Sequence, residues 1–103
     1  MRKTKIIQTL VESQIENGIL DILKDAQPHF PMSYTSTRIS VFFDDETLPT
    51  GINLTGWKHD TPMLTGLKKW YNKHSVTVGD KVVIEILGSN SYRLSILKPR
   101  ARF

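Results

Sequence analysis

From Leu64 to Ile86 the spacing of apolar residues switches from helical to strand-like across a single Gly-Asp turn, and this limits the architecture more than any other stretch. Leu64, Leu67, Trp70 and Tyr71 fall at i, i+3, i+6 and i+7, which puts them on one helical face. Lys68, Lys69, Asn72 and Lys73 fill the other. Thr65 stands where an N-cap hydroxyl accepts a bond from an orphan amide. Gly79-Asp80 marks a reversal, because glycine tolerates the backbone angles of a tight turn. Val82, Val83, Ile84 and Ile86 then form a β-branched run too dense for a strand exposed on one side. A short helix plugging one end of a small barrel, lysines outward, satisfies both halves.

The remaining pattern agrees with a barrel. Arg38–Phe43 alternates, with Ile39, Val41 and Phe43 on one side and Arg38, Ser40 and Phe42 on the other. Gly51–Leu54 reads as a short strand. Lys81–Leu87 and Tyr92–Leu97 flank Gly88-Ser89-Asn90-Ser91 as a hairpin. Lys24–Phe30 is a helical turn stopped by Pro28 and Pro31. Ile7, Val11, Ile15 and Ile19 recur every four residues, as in a helix, but Asn17-Gly18 is a turn dipeptide. Two strands, Lys5–Leu10 and Ile19–Leu23, joined by a polar excursion from Val11 to Gly18, fit better. The expected fold is mainly β: a seven-stranded open pseudobarrel with two short helices, in one domain spanning residues 1–103.

Composition narrows the function. The chain has 103 residues and no cysteine, so disulfides and thiolate metal sites are excluded and the cytoplasm is the expected compartment (the nucleus in a eukaryote). No apolar run reaches the length of a membrane helix. The net charge of +4 is uneven: +3 over residues 1–10, −5 over 11–57 and +6 over 58–103. That asymmetry leaves two readings, a face that attracts polyanions or an ordinary solvated surface.

The order of elements resembles the DNA-binding pseudobarrel family, which includes the B-three domains of plant transcription factors and recognition domains of some bacterial restriction endonucleases. Thr9-Leu10-Val11-Glu12-Ser13-Gln14-Ile15 stands where that family has a Leu-Thr-x-Ser-Asp-Val-like stretch. Ile19-Leu20-Asp21-Ile22 stands at its second strand, and His29-Phe30-Pro31 at its helix end. Leu64-Thr65-Gly66-Leu67 with Trp70 is similar to its Leu-Thr-x-Gly-Trp-x-x-Phe, one residue short, and Val78-Gly79-Asp80-Lys81-Val82 to its Gly-Asp-x-Val turn. The resemblance covers about residues 5 to 97. It implies binding of double-stranded DNA, with two arms in the major groove: Gln8 to Gly18, and Leu54 to Asp60. The first arm departs from the family in carrying Glu12 and Glu16, which repel phosphate.

Candidate contacts follow. Lys58 can meet a phosphate or a guanine edge, and His59 can donate or accept. Trp57 has two readings, folded back onto the core or exposed at the arm, and burial favours the first. Gln14 and Asn17 carry amides able to pair with adenine, although Asn17 is equally a turn former. Gln8, Thr9, Ser13 and Thr55 are further hydrogen-bonding candidates. Arg2, Lys3, Lys5 and Arg38 are the expected phosphate contacts.

No catalytic set is visible. His29, His59 and His74 lack the spacing of a helical zinc site, and Asp44-Asp45-Glu46 reads as solvated loop, so no metal or cofactor is expected. The chain contains no acidic-x-Lys triplet, Gly-rich phosphate loop or nucleophile elbow. The expectation is a sequence-specific DNA-binding module without chemistry of its own. It would be the recognition domain of a restriction endonuclease, partnered by a nuclease domain or subunit, or a stand-alone transcription regulator. A protein-interaction module on the same barrel is the alternative.

Overall fold

The computed structural model describes residues 4–31, 35–56 and 61–98. These contain seven strands: β1 (Thr4–Thr9), β2 (Leu20–Asp21), β3 (Thr37–Phe43), β4 (Thr50–Leu54), β5 (Met63–Leu64), β6 (Lys81–Gly88) and β7 (Ser91–Leu97). Two six-residue helices join them, α1 (Glu12–Asn17) and α2 (Lys68–Lys73), with a single 3-10 turn at Gln27–His29. The strands form one mixed sheet in the order β1-β6-β7-β3-β4-β5-β2. Only the β3–β7 pairing is parallel within that sheet. The fold is an open pseudobarrel, as expected.

The strongest part of the sheet is the one the β-branched run builds. Strand β6 lies between β1 and β7 and pairs with both along most of its length. Val82 and Ile84 are fully buried, and across the ladder Ile84 meets Leu94 and Ile6. Burying each such side chain stabilises by roughly 1.5–3 kcal/mol. The hairpin tightens to two residues at Ser89-Asn90, with Asn90 in the left-handed region at φ 62°. From the parallel side, Phe30 stacks on Tyr92 with ring centroids 4.3 Å apart, and the Tyr92 hydroxyl donates to the His29 carbonyl at 2.6 Å. Burial pushes that phenol up to about 12.

Several expectations change. The polar excursion expected from Val11 to Gly18 contains a helix, α1. Gly18 sits at φ 65° as the left-handed C-cap, so Asn17-Gly18 ends a helix and does not turn a hairpin. Strand β2 has two residues where five were expected; beyond Asp21, the Ile22 amide donates to Pro62 and the chain leaves the ladder.

The helix expected from Leu64 begins only at Lys68. Leu64 belongs to β5, the Thr65 amide donates to Asn53 as a strand residue would, and Gly66 at φ 78° breaks the path. Leu67 therefore occupies the N-cap position in place of Thr65, and no side chain caps it. Leu67, Trp70 and Tyr71 are buried as their spacing predicts.

Asp44 also departs from the solvated-loop expectation. It turns out of β3 at φ 57°, and its carboxylate accepts from Trp70 Nε1 at 3.2 Å and lies 2.9 Å from His74 Nε2. Arg93 donates to the carbonyls of Asp44 and Glu46 from the adjoining strand. The acidic turn is thereby tied to α2 and β7.

Candidate nucleic-acid interface

Strands β1 and β2 are the two outer strands of the sheet, and where they meet the barrel is closed by side chains. Gln8 is 4% exposed and points inward with Leu10. Its Nε2 donates to the Asp21 carbonyl at 2.7 Å, and its Oε1 accepts from the Leu23 amide at 3.3 Å. One side-chain amide thus imitates a rung of backbone ladder across the seam. Gln14, from α1, donates to Asp21 Oδ2 at 3.1 Å, while its own Oε1 is buried without a partner among the described residues. The Tyr71 hydroxyl donates to the Ile19 carbonyl at 2.7 Å. Burial first, and the Asp21 charge second, raise the Tyr71 phenol well above the usual tyrosine range.

Both arms are rooted on this seam. The first arm leaves β1 after Thr9 and returns at Leu20. The second leaves β4 after Leu54 and returns at Met63. Its root is closed by the Thr55 amide donating to Met63 at 2.9 Å and the Met63 amide donating to the Thr55 hydroxyl at 2.9 Å. Leu20 pairs with Leu64 and Asp21 with Met63, so the arms emerge at opposite ends of one two-pair ladder. Leu20 and Asp21 are adjacent, so along the strand the roots are one residue apart, about 3.4 Å.

The expected contact residues divide sharply. Ser13 and Asn17 are exposed on α1, where the Asn17 amide donates to the Ser13 carbonyl at 2.8 Å. Thr9 is exposed, and its hydroxyl accepts from Lys81 Nζ at 2.9 Å. Thr55 is half-buried at the root of the second arm. Gln8 and Gln14 stand apart from these: both are buried and both hold the seam, so neither amide edge is offered to a ligand. Trp57, Lys58 and His59 lie outside the described residues, as do Arg2 and Lys3. Lys5 is exposed on β1. Arg38 is exposed on β3 beside the second arm, donating to Asn53 Oδ1 at 3.2 Å and near the Gly51 carbonyl at 3.5 Å.

Reading the sequence missed Lys68, Lys81, Asn53 and Asp21. Lys68 stands among the solvated helix lysines by its spacing, yet its ammonium bonds to α1. Asp21 carried no signal beyond its place in a strand. Gln8 did carry one: it shares inward parity with Ile6 and Leu10, and a polar residue at such a position needs internal partners.

On the far side of the first arm, Leu10 exchanges backbone bonds with Gly79 and Asp80. Asp80 is 4% exposed, and its carboxylate accepts from Lys98 Nζ at 2.7 Å and the Thr77 amide at 3.0 Å. Burial works against its charge, but these donors outweigh it and hold the carboxyl below the usual aspartate range. The expected Gly-Asp turn is therefore a buried ionic latch under the start of β6.

The class of fold these elements define is a pseudobarrel with two arms beside its closing seam. No family model matches the sequence, and no curated protein matches it. Solved structures do. The chain is similar to the protein in the Arabidopsis FUS3-DNA complex, with a TM-score of 0.74 and 18% identity over 92% of this chain and 97% of that one. It is also similar to the N-terminal domain of Helicobacter pylori LlaJI.R1, with a TM-score of 0.66 and 15% identity over 91% and 81%. At these identities the likeness is one of fold.

Proposed function

We propose that this chain binds double-stranded DNA in the major groove with both arms, and does so sequence-specifically. The observation that carries the reading is the pair of arm roots on adjacent pairs of one short ladder, in a fold shared with a protein solved on DNA. Two loops launched from such roots suit a groove about 12 Å wide. Thr9, Ser13 and Asn17 supply base or sugar contacts from the first arm, and Thr55, Trp57, Lys58 and His59 from the second. Arg2, Lys3, Lys5 and Arg38 neutralise phosphates. Gln8 and Gln14 are left out because both are buried in the seam. Glu12 and Glu16 are the acceptors on the exposed arm suited to a cytosine amino group. The domain has recognition without chemistry as its role, and a nuclease domain or subunit would act on the site it selects.

Gel shifts on a random-sequence duplex pool across a salt series test this. Four phosphate contacts predict a log–log slope of about −3.6. Lys58→Ala with His59→Ala costs about 1–3 kcal/mol of binding and leaves the melting temperature unchanged. Absence of any shifted complex at low salt would overturn the proposal.

A further inference from the structure

We infer that Lys68 is a positioning residue for the first arm, not a phosphate contact; this rests on the DNA-binding reading above. The last carbonyls of α1 have no partner within the helix itself. The Ser13 carbonyl accepts from the Asn17 side-chain Nδ2, and the Gln14 carbonyl from the Ile19 backbone amide at 3.0 Å. Lys68 Nζ donates to the Ile15 carbonyl at 3.3 Å, which also accepts from the Gly18 amide at 3.4 Å, and to the Glu16 carbonyl at 3.0 Å. Helix α1 has no basic residue in its own last turn, so the cation that complements its C-terminal end comes from α2, more than fifty residues further along the chain.

The two helices are drawn together tightly enough for this to be the purpose of the contact. The Leu67 amide donates to the Gly18 carbonyl at 2.8 Å. A Cβ on Gly18 would lie 2.7 Å from the Lys68 backbone nitrogen, closer than real side chains come. Only glycine lets the end of α1 rest on the start of α2 so that the ammonium reaches the last carbonyls. Two of the ammonium's three donors are held this way, turned toward α1, although by sequence Lys68-Lys69 could equally meet a phosphate. Its effect on DNA passes through the orientation of Ser13 and Asn17, on the exposed side of the helix it anchors.

Three measurements on the full chain test the assignment, using Lys68→Met, which keeps the stem, and Lys68→Arg, which keeps the donors. Amide hydrogen exchange at Gly18 and Ile19 should be roughly two- to fivefold faster in Lys68→Met, the range for a helix-terminal cation. Binding to the random duplex pool should weaken by a similar factor, with the salt slope unchanged. Lys68→Arg should restore both. A slope reduced by about 0.9 would mark Lys68 as a phosphate contact and overturn the inference. So would faster exchange with unaltered affinity, which would make the contact structural only. If the wild-type chain binds no duplex, the DNA reading itself fails and takes this one with it; a wild type that binds while the variant matches it defeats this one alone.

Discussion

The β6–β7 hairpin and the β1–β2 seam hold the same barrel together by different means. In the hairpin, six residue pairs run in continuous register before a bulge at Leu87, and backbone bonds carry the ladder, with Val82, Ile84 and Leu94 filling the interior. At the seam, β2 has two residues, and closure falls to Gln8, Gln14, Asp21 and Tyr71. A ladder cannot be interrupted without losing cooperative pairing, whereas a seam of side chains leaves the backbone free to depart in loops. Both arms depart there. The long ladder and most of its buried side chains lie in one half of the barrel and the proposed recognition surface in the other.

The comparison is broken most severely in the hairpin. Ile84→Ala removes a fully buried side chain that faces Ile6 and Leu94. It should cost about 2–5 kcal/mol in urea unfolding. A cost under about 1 kcal/mol would mean the hairpin is not where stability resides.

Gly18→Ala is the next largest. It forces a Cβ into the left-handed region, at about 1–2 kcal/mol, and drives it against the backbone of Lys68. The loss should exceed that of a surface Gly→Ala change such as Gly88→Ala, where a Cβ meets nothing within 4 Å. Equal losses at the two glycines would contradict the close approach of α1 to α2.

Gln8→Ala sharpens the contrast. It removes both rungs across the seam and should cost about 1–3 kcal/mol, the price of leaving buried backbone groups without partners. Hydrogen exchange should accelerate at Leu23, whose amide loses its acceptor, while β6 amides keep their protection. Uniform acceleration would show that seam and hairpin open together.

How much of this was legible follows the same division. The hairpin, β3 and the Gly79-Asp80 turn declare themselves through period-two alternation and turn chemistry, signals set by residues near one another in sequence. The seam depends on partners far apart. Nothing near Asp21 says that β2 stops there, because the limit is the two-residue β5 it pairs with. Asn17-Gly18 suits a hairpin and a helix C-cap equally, and the choice is made by contact with Lys68, on a distant element. Leu64 has helical spacing to Leu67 and Tyr71 but is claimed by β5, because Gly66 bends the chain before the helix starts. Of the contact residues, the exposed Ser13 and Asn17 were readable as polar surface. Gln8 was misread because its neighbour Thr9 does face solvent, and the parity of one strand separates them.

The smallest effect concerns the latch between the two halves. Asp80 sits where the first arm's Leu10 meets the start of β6, and its carboxyl is held below the usual aspartate range by Lys98 and Thr77 in spite of burial. A carboxyl depressed in the folded state adds stability that is fully present above its unfolded value, about 3.9, and is lost as the pH falls through the lower folded value. The stability difference between wild type and Asp80→Asn should therefore stay constant from about pH 7 to pH 5 and narrow below about pH 4. Lys98 is half-exposed, so solvent screens the pair, and added salt should trim the difference only modestly. If the two proteins instead converge near neutral pH, the Asp80 charge is not what fastens Leu10 to β6, and the backbone bonds from Leu10 to Gly79 and Asp80 must hold the arm's root unaided.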